Sequence, residues 1–138
     1  MNILFICKFN RFRSKVAEAF FIKLNKNPKH KTKSAGIIRG SKVSKEIKAA
    51  AKEFGIKIKS QPQGLSTKLL KWQELAIIVA NDVPKEILVD NKKYNKKLEV
   101  WKIQDTSGKD KETMNKIISE IDKKVKNLVK KLKWTNQK

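Results

Sequence analysis

Met1-Asn2-Ile3-Leu4-Phe5-Ile6-Cys7-Lys8-Phe9-Asn10-Arg11-Phe12-Arg13-Ser14 opens the chain, and the way this stretch breaks decides the fold. Asn2 to Ile6 is a short apolar run suited to a buried strand, and from Ser14 onward Val16, Ala17, Phe20 and Leu24 recur at helical spacing. A chain that leaves a strand and curls straight into a helix can turn successive backbone N–H groups inward, forming an anion-binding nest at the positive end of the helix dipole. Cys7-x5-Arg13 therefore reads as a phosphate cradle with a cysteine at its base, its backbone supplied by Lys8, Phe9, Asn10, Arg11 and Phe12. Such donors, with Arg13, favour thiolate over thiol, and a thiolate is a ready nucleophile. The Arg13 fork can hold two phosphoryl oxygens through parallel hydrogen bonds, which a lysine cannot do. Spacing alone leaves a blander reading open, with Cys7 a buried strand-end cysteine and Arg13 a surface charge.

Beyond this stretch the pattern alternates. Asn25 to Pro28 ends the first helix, and Lys31 to Ser34 forms a second strand that closes on Ala35-Gly36, which completes a βαβ unit. Ser44 as N-cap, then Ile47, Ala50, Ala51 and Phe54 on one face, then Gly55 as a left-handed C-cap predict a second helix. Residues 56–66 read as a loop, Leu69 to Trp72 as a short helix, and Leu75 to Ala80 as the central strand. Pro84 opens another short helix, and Leu98 to Ile103 is a fourth strand with Asp105 just past its end. Met114, Ile117, Ile118, Ile121, Val125, Leu128, Val129 and Leu132 then keep helical spacing over about five turns. Residues 1–134 are expected to form one α/β domain and residues 135–138 a polar, frayed tail. In a parallel sheet ligands bind beyond the carboxyl ends of the strands, where Cys7 and Asp105 both fall.

Composition narrows the class. At 138 residues and 39% hydrophobic content the chain supports one core rather than two. The opening apolar run is too short for a signal or a transmembrane helix and has no basic residue before it, so a soluble, cytoplasmic protein without membrane association is expected. Cys7 is the single cysteine, which excludes an internal disulfide or dithiol pair. A formal charge of +21 attracts polyanions. Only three of the 34 basic residues are arginines, however (Arg11, Arg13 and Arg39), and the lysines are spread along the chain. That favours a solvated lysine-rich surface over a dedicated nucleic-acid site. His30 lies between lysines and reads as exposed, Trp72 and Trp101 as core or rim residues, and Asp82 as a helix N-terminal residue.

Cys7-x-x-Asn10-x-x-Arg13-Ser14 after an N-terminal strand resembles the Cys-x-Gly-Asn-x-x-Arg-Ser-Pro loop of the low-molecular-weight protein tyrosine phosphatases and their arsenate reductase relatives. Ser34-Ala35-Gly36, Phe54-Gly55-Ile56 and Trp101-Lys102-Ile103-Gln104-Asp105 are similar to family segments in the same order, so the likeness spans nearly the whole chain. The resemblance implies a three-layer α/β/α domain whose four-stranded parallel sheet runs in the order 2-1-3-4. It implies a phosphatase acting on phosphate monoesters, phosphotyrosine or aryl phosphates, through a phosphocysteine. Cys7 would be the nucleophile, Arg13 the phosphoryl clamp, Ser14 a hydroxyl bonded to the thiolate, Asp105 the general acid, and Asn10 a left-handed shaping residue. Neither metal nor cofactor is implied. The partner would be a phosphorylated protein or a small phosphate monoester, with inorganic phosphate as product.

Several positions depart from the family pattern. Phe9 replaces a glycine, so a position needing unusual backbone angles or close approach to phosphate would be strained. Lys15 replaces a proline, giving up preorganisation and adding a charge that favours phosphate. Phe12 stands where many members carry a second loop cysteine, which leaves Cys7 open to over-oxidation. Thr106 and Ser107 replace the proline and the tyrosine after the acid, so Phe9 and Phe12 either line the mouth or pack into the core. Ser60 falls where animal enzymes place a loop-supporting histidine, so Asn10 must be supported differently. Arsenate reduction recycled by an external thiol and a non-catalytic phosphate-binding module are the alternative functions.

Overall fold

The computed structural model describes residues 1–136. Strand β1 (Asn2–Cys7) lies between β2 (Lys31–Gly36) and β3 (Leu75–Val79), and β4 (Lys97–Trp101) pairs with β3 at the edge, giving a parallel sheet in the order β2-β1-β3-β4. This is the expected order. Side chains alternate across β1, so Ile3 and Phe5 enter one core and Leu4 and Ile6 the other. Both faces are therefore covered, and the central strands read as continuous apolar runs.

The larger core lies under α1 (Arg13–Leu24), α2 (Lys45–Glu53) and α5 (Lys111–Asn136), where Phe5 stacks against Trp101 at 5.9 Å between ring centres. The smaller lies under α3 (Thr67–Trp72), a 3-10 turn at Lys85–Leu88 and α4 (Asp90–Lys93). Ser44 caps α2 as expected, its Oγ accepting from the Ile47 N–H at 3.3 Å, and Gly55 sits at φ 76° after the helix.

Two boundaries differ from the reading of the sequence. Strand β4 ends at Trp101 rather than Ile103, because the Ile103 N–H turns back to the Trp101 carbonyl at 2.8 Å. Helix α5 begins earlier and runs for 26 residues, through Asn136. Asp110 caps its start, accepting from the Glu112 N–H at 3.1 Å and from the Thr113 hydroxyl. Those bonds, the Thr113 hydroxyl foremost, hold the Asp110 carboxyl below its ordinary value. Gln137 and Lys138, the end of the expected tail, lie outside the described residues.

Candidate active site

The loop from Cys7 to Arg13 is shaped from outside by its neighbour. The N–H groups of Ile37, Ile38 and Gly40 donate to the carbonyls of Cys7, Lys8 and Phe9 at 3.1, 3.0 and 3.1 Å. A Cβ on Gly36 would stand 2.6 Å from the Phe9 carbonyl carbon and 2.7 Å from the Asn10 nitrogen, so only glycine lets the two segments meet. With its carbonyls bound outward, the loop presents its N–H groups the other way. Among the described residues, none of the backbone N–H groups of Phe9, Asn10, Arg11 and Phe12 donates to a protein acceptor, and the α1 N-terminus has no side-chain cap. Uncapped donors at a helix start form a site suited to an anion.

The left-handed turn of the loop falls on Asn10, at φ 56°, and not on Phe9. Asparagine tolerates that region because its short side chain bonds locally. The unusual backbone angles that would strain Phe9 in place of glycine are therefore absent. Phe9 is instead 36% exposed, with the Lys8 Nζ 5.3 Å from its ring centre, and Phe12 is buried in the larger core. Both nevertheless border one cleft of about 40 Å³, together with Cys7, Arg13, Ile47 and Asp105.

Arg13 is only 1% exposed, which removes the surface-charge reading. Its Nη1 donates to the Ile103 carbonyl at 2.9 Å and pairs with Asp82 Oδ1 at 2.9 Å, while Nη2 faces Asp105 Oδ2 at 3.5 Å. A buried guanidinium needs such partners, and here they fix the plane of the fork. The Asp105 side chain is 40% exposed and accepts from the Thr106 N–H at 2.9 Å, so it reaches solvent and Arg13 together. Cys7 Sγ lies 2.9 Å from Ser14 Oγ. Cys7, Ser14, Arg13 and Asp105 thus converge from the ends of β1 and β4 and the start of α1.

Other expectations are corrected. Asp82 is not a helix N-terminal residue: it precedes the 3-10 turn and pairs with Arg13. The Arg11 guanidinium turns away from the cradle, with Nε donating to the Ser41 carbonyl at 3.0 Å and Nη2 to that of Lys42 at 3.3 Å. Lys15 is buried on α1, and its Nζ donates to the Gln61 carbonyl at 2.9 Å. Burial lowers its pKa below the ordinary 10.5, against the opposing pull of Glu18. Half-buried His30 lies at the other end of the sheet, its Nδ1 3.3 Å from the Met1 amine, and burial followed by that cation lowers its pKa. Ser60 accepts from the Lys48 ammonium. Asn10 is supported instead by Ser14, Ser34 and the Gln63 N–H.

The sequence reading missed Asp82, Glu18 and Gln63 as parts of the site's surroundings. Asp82 had a signal, its place just past the end of a central strand. Glu18 had a weaker one, its spacing of one helical turn from Ser14. Gln63 had none, since it lies in an irregular segment.

A four-stranded parallel sheet with a cysteine and arginine loop at the carboxyl end of β1 defines a class, the α/β proteins built around a phosphate loop. The sequence model for low molecular weight phosphotyrosine protein phosphatase matches residues 2–138. The chain belongs to this family and is a hydrolase of that type. It is similar to the solved structure of the YwlE arginine phosphatase from Geobacillus stearothermophilus, with 23% identity, coverage of 99% of this chain and 95% of that one, and a TM-score of 0.84. A low molecular weight protein tyrosine phosphatase from T. tengcongensis is 26% identical over 95% of this chain and 99% of its own, with a TM-score of 0.81. The arsenate reductase from Archaeoglobus fulgidus is 28% identical over 92% and 98%, with a TM-score of 0.72. No protein of curated function matches the chain by sequence. Among the described residues no helix is long and apolar enough to cross a membrane, and no group of His, Cys, Asp and Glu side chains could hold a metal ion.

Proposed function

We propose that the protein hydrolyses phosphate monoesters, aryl phosphates or phosphotyrosine, through a phosphocysteine on Cys7. The observation that carries this reading is the meeting of Cys7, Ser14, Arg13 and Asp105 around a loop whose N–H groups at Phe9 to Phe12 are unclaimed among the described residues. The phosphoryl group sits in the cradle, its oxygens taken by those N–H groups and by the Arg13 fork. The Cys7 thiolate attacks phosphorus in line, and the bond to the leaving oxygen breaks as Asp105 hands that oxygen its proton. Asp105, now a carboxylate, then takes a proton from water as the water displaces Cys7 sulfur, releasing inorganic phosphate and restoring the thiolate. The small cleft is bordered by Thr106 and Ser107 and by Phe9 and Phe12, of which Phe9 is the exposed one, so Phe9 is the aromatic ring most open to a leaving group.

Arsenate reduction is the second reading, favoured by the 28% identity to an arsenate reductase. With Cys7 as the single cysteine, it requires an external thiol. The experiment compares purified wild type with Cys7→Ser on a chromogenic aryl phosphate without added metal. Hydrolysis by the wild type that falls to background in the variant is expected. Hydrolysis that survives in Cys7→Ser overturns the reading. Thiol-dependent turnover of arsenate with no phosphate release from any ester would move the assignment to the second.

A further inference from the structure

Behind Cys7 lies a set of polar side chains whose hydrogen bonds can be given a direction by counting hydrogens. The Gln63 backbone N–H, which can only donate, bonds Asn10 Oδ1 at 2.9 Å and thereby settles which end of the Asn10 amide is oxygen. The two hydrogens on Asn10 Nδ2 then go to Ser14 Oγ at 2.8 Å and Ser34 Oγ at 2.9 Å. Ser34 gives its own hydrogen to Glu18 Oε1 at 2.7 Å, since an ionised carboxylate can only accept. Ser14 has accepted from Asn10 and still holds one hydrogen. Its remaining partner is the Cys7 sulfur at 2.9 Å.

We infer that Glu18 is a positioning residue for Cys7: as the acceptor end of this chain it holds Ser34 in place behind the Asn10 amide, and the amide so held keeps Ser14 where its hydroxyl donates to the sulfur. A hydroxyl that donates there favours a thiolate, which accepts fully, over a thiol. The inference rests on Cys7 as nucleophile but not on turnover. The charged groups around it are accounted for. Arg13 and Lys15 face Cys7 from α1, and Asp82 and Asp105, from beyond β3 and β4, are already paired with Arg13. Lys15 on the same helix acts on Glu18, and Lys59 acts on Lys15 from the segment before Gln61.

The sign of the effect separates this role from ordinary electrostatics. Acting through space, the Glu18 charge opposes a second anion at Cys7, and its removal would speed reaction of the thiolate. Acting through the chain, its removal slows that reaction. The experiment is the rate of Cys7 alkylation by iodoacetamide against pH, with melting curves alongside, for wild type, Glu18→Ala, Glu18→Gln, Ser34→Ala and the Glu18→Ala/Ser34→Ala double variant. Glu18→Ala is expected to slow alkylation at neutral pH by roughly three- to tenfold, the worth of a hydrogen bond to a charged group weakened but not lost. Glu18→Gln should restore most of the rate, because its amide oxygen accepts the same hydrogen. In the Ser34→Ala background the Glu18 change should no longer slow alkylation, since only its through-space effect, which acts the other way, remains. A rate equal to or above wild type in Glu18→Ala, or a further slowing when Glu18→Ala is added to Ser34→Ala, overturns the inference. If Glu18→Ala does not fold, Ser34→Ala alone decides, because a wild-type rate in that variant also refutes the chain. These outcomes are read without phosphatase activity, so a protein that hydrolyses nothing still tests this role.

Discussion

Two buried cations follow the phosphate loop, two residues apart in the first turn of α1, and their surroundings differ. Arg13 meets two carboxylates and a carbonyl, whereas Lys15 meets the Gln61 carbonyl and, among the described residues, has no carboxylate in ion-pair contact. The difference follows from shape. A guanidinium is a flat fork that can bind a carboxylate on one side and present its remaining hydrogens elsewhere, while an ammonium is a compact charge whose three donors have no planar fork to match a carboxylate or phosphate. Arg13 is therefore bracketed yet still able to serve the cradle. Lys15 ties the first turn of α1 to the segment that carries Gln63, and so supports the loop from behind.

If that division is right, the largest effect should come from Arg13→Lys, which keeps the charge and loses the fork. Its kcat/KM on an aryl phosphate should fall by roughly a hundred- to a thousandfold, the usual loss of a preorganised transition-state donor. A tenfold loss or less would mean that charge alone suffices at this position and would erase the contrast with Lys15.

A smaller effect is expected at the carboxylate side of the bracket. Asp105→Asn should lower kcat by roughly a hundredfold on esters with poor leaving groups and much less on nitrophenyl phosphate, with inorganic phosphate binding nearly unchanged. Equal rates on a poor leaving group would assign Asp105 to holding Arg13 and nothing more, leaving Asp82 as its equal.

The smallest effect is in the pH dependence of stability. Burial leaves Lys15 a weaker base in the folded protein than in the unfolded chain, where its ordinary pKa is 10.5. Between those two values the unfolded state binds more protons, so stability rises with pH as the folded pKa is passed and levels off above the unfolded one. Lys15→Met carries no such proton. Melting temperatures of wild type and Lys15→Met, followed from about pH 7 to about pH 10, should therefore shift in favour of the wild type as pH rises. A constant gap would show that Lys15 titrates alike in both states, and that its burial has little weight.

The loop and the strand order were legible because they rest on local pattern. Apolar runs, helical spacing and the Cys7-x5-Arg13 interval are properties of neighbours in the chain, and the resemblance they carried implied the observed 2-1-3-4 sheet. Phe9 was misjudged for a local reason too: the positive φ falls one residue later, on Asn10. Asp82 was misread because its partner, Arg13, lies far away in sequence and the pair forms only once β3 lies beside β1.

The sequence by itself determined the elements, their alternation and the residue types at the cradle, since periodicity and side-chain chemistry act over a few residues. Only the tertiary structure decided which hydrogens point where. Arg13 took its carboxylates from beyond β3 and β4, Lys15 took the Gln61 carbonyl and Asn10 the Gln63 N–H from the irregular segment at 61–63, and Ser34 joined Glu18 across from β2 to α1. A buried polar group must find a partner, and its identity depends on which distant segments the closed sheet brings within hydrogen-bond reach.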